Sequence, residues 1–186
     1  MIRVFMIHGF EGIPNGGWRP WLMRELANKG IFATALSMPT PGTPKKDEWI
    51  SEINHAVNLF LDDDIVLVGH SLGGPTILNY LQSSNKKIKG VFLVASPIKS
   101  TGFDYAPKMA TFYEKPFEFE RIKDMCEHFC IIHGDNDPFV PFSHAESMSK
   151  ELGVPIITIK SGAHLNTEAG CFELPELRDA ILSIIK

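Results

Sequence analysis

Short apolar runs alternate along the chain with longer segments in which apolar residues recur every three or four positions. A period near 3.6 predicts an amphipathic helix, whereas a short apolar run bounded by turn residues predicts a buried strand. Six runs have the length and composition of strands: Val4–Ile7, Phe32–Leu36, Ile65–Val68, Val91–Val94, Cys130–His133 and Ile156–Ile159. Because helical patterns lie between them, the chain has the element order of a parallel sheet.

Five helices are predicted from the helical periodicity and from end signals. The first runs from Trp18 or Pro20 to Lys29, the third begins beside Ser71 and includes Pro75 and Leu81, the fourth runs from His144 to Leu152 with Ser143 as its N-cap, and the fifth runs from Pro175 to Ile185. The second has an apolar face formed by Trp49, Ile50, Ile53, Val57, Phe60 and Leu61. The aspartates at 62–64 then read as a solvated turn. We therefore expect an α/β fold with about six mostly parallel strands and helices on both faces.

Composition and charge narrow the class of protein. With 186 residues, 44% of them hydrophobic, the chain can bury one sizeable core, so we expect a single domain over residues 1–186. The formal net charge is −4 and there is no dense basic run, so neither nucleic acid nor a membrane surface is an expected partner. The apolar runs are too short to span a bilayer, and the first residues lack the features of a signal peptide, so we expect a cytoplasmic protein.

The three cysteines indicate free thiols. An odd number of cysteines in a chain of this length does not suggest a disulfide framework. Cys126 and Cys130 are not followed by a second pair of ligands with metal-binding spacing, so no metal site is predicted.

The third predicted strand is followed by a G-x-S-x-G pattern, Gly69-His70-Ser71-Leu72-Gly73. In a parallel sheet, catalytic residues are expected at the carboxyl ends of the strands. Small residues two positions before and after Ser71 permit the sharp turn of a nucleophile elbow. A glycine-rich turn that only packs helix against strand is the structural alternative. A phosphate loop does not fit, because the spacing differs and no lysine follows Gly74.

Two later strand ends supply the groups that a serine nucleophile needs. A serine hydroxyl requires a base to take its proton and an acid to orient that base. The fifth strand is followed by a loop with Asp135 and Asp137, and the sixth by a turn with His164. We prefer Asp137 as the acid because it lies deeper in the loop and precedes Pro138, and we expect Asp135 to hold the loop.

A serine hydrolase also needs hydrogen-bond donors for the oxyanion of its tetrahedral intermediate. The backbone N–H of Leu72, directly after the serine, is one predicted donor. The N–H of Phe10, in the glycine-containing loop after the first strand, is the other.

The substrate pocket is predicted less directly. The connection between residues 97 and 119 is aromatic and longer than a plain crossover requires. We expect part of it to lean over the nucleophile, and a hydrophobic cluster covering the sheet edge is the alternative. The expected pocket residues are Glu11, Trp18, Phe103, Tyr105 and Phe139. Trp21 and Trp49, at helical spacing, are expected in the core.

Taken together, these motifs resemble the α/β-hydrolase superfamily. The segments Trp18-x-Pro20-Trp21, Met38-Pro39, Gly69-His70-Ser71-Leu72-Gly73-Gly74, Asp137-Pro138-Phe139-Val140-Pro141 and His164-Leu165-Asn166 are similar to those of small serine hydrolases related to retinoblastoma-binding protein nine and its bacterial relatives. The resemblance covers nearly the whole chain. It implies Ser71 as nucleophile, Asp137 as acid, His164 as base and no cofactor. The short chain leaves no room for a cap domain.

The expected activity is hydrolysis of small esters through an acyl-enzyme on Ser71. A small ester or another acyl compound is thus the expected partner, and the sequence leaves any protein partner open. Because a fold does not fix a function, a hydrolase-fold interaction or scaffold protein is one alternative. An acyltransferase or a thioesterase that uses the same triad is the other.

Overall fold

Six parallel strands form a single sheet in the computed structural model, which describes residues 1–103 and 105–185. The strands are β1 (Ile2–Ile7), β2 (Phe32–Ala35), β3 (Asp64–His70), β4 (Ile88–Val94), β5 (Cys126–Gly134) and β6 (Ile156–Ile159). Their order across the sheet is β2-β1-β3-β4-β5-β6. This arrangement confirms the predicted α/β architecture.

Helices cover both faces of the sheet. They are α1 (Arg19–Ala27), α2 (Lys46–Asn58), α3 (Gly73–Ser83), α4 (Phe119–Asp124), α5 (Ser143–Leu152) and α6 (Pro175–Ser183), and a 3₁₀ helix spans Ala106–Tyr113. Alternate strand residues face two separate cores. Phe5, Leu67 and Leu93 pack with α2, α3 and α5, whereas Met6 and Val68 pack with α1 and α6. Strands buried on both faces explain the nearly continuous apolar runs in the sequence.

The strand order places a crevice at the carboxyl ends of β1 and β3. From β1 the chain moves outward to β2 and then crosses to β3 on the other side of β1. Ile7 at the end of β1 pairs in register with Gly69 near the end of β3. The loops that follow these two strands are therefore neighbours, at the kind of position where open α/β sheets bind ligands.

Three local predictions are corrected by the structure. Helix α2 ends at Asn58, so Leu61 does not continue its apolar face and is 64% exposed. Ser143 is the first residue of α5, Phe142 occupies the cap position, and no side chain caps the helix. In the acidic run, Asp63 is not simply solvated: it pairs with the terminal amine of Met1 at 2.8 Å and with Arg3 Nε at 2.6 Å.

None of the helices in the described ranges 1–103 and 105–185 is both long enough and apolar enough to cross a membrane.

Candidate active site

Ser71 lies at the tip of a strained turn between β3 and α3. Its φ is +52°, a region that non-glycine residues seldom adopt. A Cβ on Gly69 would lie 2.6 Å from the backbone of Gly73, and one on Gly73 would lie 2.3 Å from the carbonyl oxygen of Ile7. The turn is so tight that both positions require glycine. Ser71 lines a cavity at the carboxyl-terminal edge of the sheet.

Asp137 and His164 come together from the loops after β5 and β6. Asp137 Oδ2 lies 2.7 Å from His164 Nδ1. The Asp137 side chain is fully buried and that of His164 is 10% exposed. Asp137 Oδ1 accepts hydrogen bonds from the backbone N–H groups of Phe139 and Val140, at 2.8 and 2.9 Å. These contacts fix the carboxylate, so His164 carries its proton on Nδ1 and its Nε2 is left as the basic nitrogen.

His164 and Ser71 line the same cavity. Within the described residues, no hydrogen bond joins Ser71 Oγ to His164 Nε2. Such contacts are often long in a substrate-free site and shorten when substrate binds.

The loop that contains Asp137 also forms hydrogen bonds with the loop that carries His164. Asp135 Oδ1 accepts the backbone N–H of Ser161 at 2.7 Å, and Asn136 Oδ1 accepts that of Ala163 at 2.8 Å. Three consecutive polar residues thus contact the histidine loop. This arrangement places Asp135 in the loop-holding position expected from the sequence, and it gives Asn136 a positioning contact that the sequence analysis missed.

Two residues that line the cavity have backbone N–H groups without a partner among the described residues. Phe10 and Leu72 both line it, and in the part of the chain that the structure describes neither N–H has an acceptor. The Gly9 carbonyl accepts the Gly12 N–H at 3.0 Å and the His8 Nδ1–H at 2.8 Å. Because C=O and N–H point in opposite directions in a trans peptide, these two bonds aim the Phe10 N–H away from them. His8 is therefore a positioning residue for this donor.

Two further buried histidines contact the proposed triad residues. His70 Nε2 donates to the carbonyl of His164 at 2.9 Å, and burial holds the pKa of His70 well below its usual value. His133 Nε2 donates to the carbonyl of Val140 at 2.9 Å and lies 3.6 Å from Asp137 Oδ2. Burial also lowers the pKa values of His133 and His8. These neutral rings position the site by hydrogen bonding.

The cavity has a volume of about 500 Å³ and contains three of the five predicted pocket residues. Glu11, Tyr105 and Phe139 line it. The prediction for Trp18 is wrong: its side chain is 1% exposed, packs in the core beside α1, and donates Nε1–H to the Leu165 carbonyl at 2.9 Å. Phe103 does not line the cavity either. Its ring stacks on that of Tyr105, with ring centroids 5.4 Å apart.

Arg19 is a cavity residue that the sequence analysis did not single out. It occupies the variable position of the Trp18-x-Pro20-Trp21 segment. A charged residue between apolar neighbours, at the start of a helix that packs on the sheet, was the available signal.

The chain is similar to two proteins that are named as hydrolases. It is 28% identical over 183 residues to the Bacillus subtilis protein YdeN, which is named as a hydrolase, with 97% of this chain and 95% of YdeN covered. It is 23% identical over 163 residues to the serine hydrolase RBBP9 of Rattus norvegicus, covering 87% and 85% of the two chains.

Solved structures show the same fold. The crystal structure of the B. subtilis ydeN gene product superimposes with a TM-score of 0.88 at 27% identity, covering 99% of this chain and 98% of that one. Est1E from Butyrivibrio proteoclasticus, at 17% identity, superimposes with a TM-score of 0.77 and covers 98% of this chain and 88% of its own; this likeness shows the fold alone. A family model described as "Serine hydrolase" matches residues 4–183. The chain therefore belongs to the serine hydrolase family.

Proposed function

We propose that the protein is a carboxylesterase that cleaves small esters through an acyl-enzyme on Ser71. The observation that carries the proposal is the 2.7 Å contact between the buried Asp137 carboxylate and His164 Nδ1 at the cavity that Ser71 lines. A buried acid that fixes a histidine tautomer beside a serine is the arrangement that activates a hydroxyl.

In the proposed mechanism, Ser71 Oγ attacks the ester carbonyl carbon while His164 Nε2 takes the hydroxyl proton. The carbonyl oxygen becomes an oxyanion that accepts hydrogen bonds from the N–H groups of Phe10 and Leu72. When the intermediate collapses, the carbon–oxygen bond to the alcohol breaks and His164 gives its proton to the departing alcohol. A water molecule, deprotonated by His164, then attacks the acyl carbon. The bond between that carbon and Ser71 Oγ breaks, His164 returns the proton to Oγ, and the carboxylic acid is released. Asp137 stabilises the imidazolium in both halves.

Labelling with a fluorophosphonate tests the nucleophile without assuming a substrate. We expect one label per chain on Ser71 of the wild type, found by intact mass and peptide mapping. Ser71→Ala should not label, and His164→Ala should label far more slowly. Ser161→Ala is the matched control, because Ser161 also has a positive φ but lies outside the lining of the cavity, and it should label like the wild type.

A panel of 4-nitrophenyl esters, acyl thioesters and anilides then tests the bond type. Turnover of esters in preference to thioesters and anilides supports the carboxylesterase assignment. Faster turnover of thioesters would favour a thioesterase instead. A folded wild type that takes up no label would contradict the proposed mechanism and favour a scaffold role.

A further inference from the structure

Arg19 is a buried cation in the wall of the candidate active-site cavity. Its side chain is only 6% exposed, and it lines the same cavity as Ser71 and His164. We propose that Arg19 binds a carboxylate of the substrate, so that the preferred substrates are small esters carrying a negative charge; this assignment rests on the proposed ester hydrolysis and adds the substrate class to it.

The protein contacts of Arg19 supply no counter-charge among the described residues, and its guanidinium carbon lies 5.6 Å from the centroid of the Trp18 ring in a cation–π contact. Nε donates to the carbonyl of Pro14 at 3.0 Å, and Nη2 donates to that of Ile13 at 2.9 Å. Among residues 1–103 and 105–185, no carboxylate lies within 4.0 Å of the guanidinium. Nη1 makes no hydrogen bond within these residues, and this atom retains some solvent-accessible surface. One edge of the guanidinium therefore remains available to a ligand.

The two hydrogen bonds to backbone carbonyls do not by themselves account for a cation at this position. The two carbonyls could be satisfied by a neutral donor, whereas burying a charge without a counter-charge is unfavourable. Burial lowers the pKa of Arg19 to about 10, and the group remains a cation at neutral pH. A carboxylate in the cavity would supply the missing charge and accept charge-assisted hydrogen bonds from the guanidinium.

The loop before α1 packs closely on the guanidinium. A Cβ on Gly16 would lie 2.8 Å from Nη2 of Arg19, so this glycine lies directly against the group. Gly16 and Gly17 both line the cavity. Two acidic residues, Glu11 and Glu168, also line it, but both are exposed, where solvent and salt screen their charges. The buried charge in the cavity wall is therefore positive.

Matched pairs of charged and neutral esters test the assignment on both sides of the scissile bond. The first pair is 4-acetoxybenzoate and 4-acetoxybenzamide, in which the alcohol part is charged or neutral. The second pair is mono-4-nitrophenyl glutarate and its methyl ester, in which the acyl part is charged or neutral. Each is assayed with the wild type, Arg19→Gln, Arg19→Lys and Arg24→Gln. Arg24 is the control because it is an exposed arginine on the same helix and does not line the cavity.

We expect the wild type to prefer the charged member of at least one pair by about tenfold or more in kcat/KM. Arg19→Gln should abolish that preference, so that the ratio of kcat/KM for the charged and the neutral ester of the pair falls about tenfold or more. Arg19→Lys should keep part of it, since lysine retains the charge but not the fork. Arg24→Gln should behave like the wild type. A wild type without preference, or an unchanged ratio in a folded Arg19→Gln, would overturn the assignment.

Binding to Ser71→Ala separates this assignment from the proposed function. Calorimetric titration of Ser71→Ala with both matched pairs of esters needs no turnover and no change at Arg19. Tighter binding of the carboxylate by about tenfold supports the role of Arg19 even if the wild type hydrolyses no ester and takes up no fluorophosphonate. Equal binding within both pairs overturns it even if Ser71 proves fully reactive, and this measurement decides the matter should Arg19→Gln fail to fold.

Discussion

The two oxygens of the Asp137 carboxylate have different partners, and this difference predicts the effect of replacing one atom. Oδ1 accepts two backbone N–H groups and Oδ2 faces His164 Nδ1. In Asp137→Asn, the amide oxygen should stay with the backbone donors, so the amide nitrogen would point at His164 and place its proton on Nε2. That tautomer cannot accept the serine proton. We expect kcat for 4-nitrophenyl butyrate to fall by about 10³–10⁴-fold.

Asp135→Asn is the matched control for this change. Asp135 contacts Ser161 N–H through a single oxygen, which an asparagine side chain can replace. Its kcat should remain within about threefold of the wild type, since no hydrogen bond to a ring nitrogen is altered. If both variants lost activity equally, or if Asp137→Asn kept more than about a tenth of it, Asp137 would not be the acid that orients His164.

At the same scale, the sequence indicated the reactive groups better than the groups that position them. The residue types and chain order singled out Ser71, Asp137 and His164 as candidates. The contacts of His8 with Gly9 and of His70 with the His164 carbonyl were not predictable, because each acceptor is a backbone group with no side-chain signature. A buried histidine in a sequence looks the same whether it positions a loop or only fills space.

At the scale of elements, three aromatic rings link the oxyanion loop to the connection after β4. Phe10 and Tyr105 stack with centroids 5.3 Å apart, and Phe103 stacks on Tyr105. Two rings of this stack, Phe103 and Tyr105, come from the long connection, and of these two Tyr105 lines the cavity. We expect Tyr105→Ala to lower kcat/KM for 4-nitrophenyl hexanoate about tenfold relative to 4-nitrophenyl acetate, because the longer acyl chain loses an apolar wall.

Phe117→Ala is the control for Tyr105→Ala. Phe117 lies in the same connection and packs on Phe119, and it is not among the residues that line the cavity. Its hexanoate-to-acetate ratio should equal that of the wild type. An unchanged ratio in Tyr105→Ala would show that this ring does not form the wall that contacts the acyl chain.

Periodicity predicted the regular elements and failed where packing is irregular. β6 matched its predicted bounds, and the other strands extended theirs by one to four residues at their ends or, for β2, lost one. Phe60 extended the predicted apolar face of α2, yet it packs against Phe5 and Phe32 from a turn outside the helix. The 3₁₀ helix Ala106–Tyr113 and α4 were missed because short helices carry too few turns for a period to be visible.

At the scale of the whole molecule, the site depends on loops that come from every part of the chain. The proposed oxyanion donors follow β1 and β3, and the proposed acid and base follow β5 and β6. Buried histidines lie within or beside these loops, where polar groups must be satisfied away from water. Disruption of the carboxyl-terminal edge of the sheet would therefore impair substrate binding, the positioning of the proposed catalytic groups and proton transfer together.

The same histidines predict how stability depends on pH. Burial lowers the pKa values of four of them, His8, His70, His133 and His144, most strongly for His70. As the pH falls through the ordinary histidine value of about 6.5, these side chains gain protons in the unfolded chain before they do in the folded one. The free energy of unfolding should therefore decrease on acidification. The limit is about 1.4 kcal/mol per pH unit for each histidine that is protonated in the unfolded chain and neutral in the folded one.

Urea unfolding between about pH 7.5 and pH 5 measures this dependence, at constant ionic strength. The window lies above the range in which ion-paired carboxylates titrate. Asp63 and Glu127, whose pKa values are lowered by hydrogen bonds to cations, should act only at lower pH. His55→Gln, at an exposed position on α2, should leave the slope unchanged, since that side chain is solvated in both states. A stability that is flat from pH 7.5 to 5 would mean that the buried histidines take up protons without unfolding, and hence that the sheet edge is open to water.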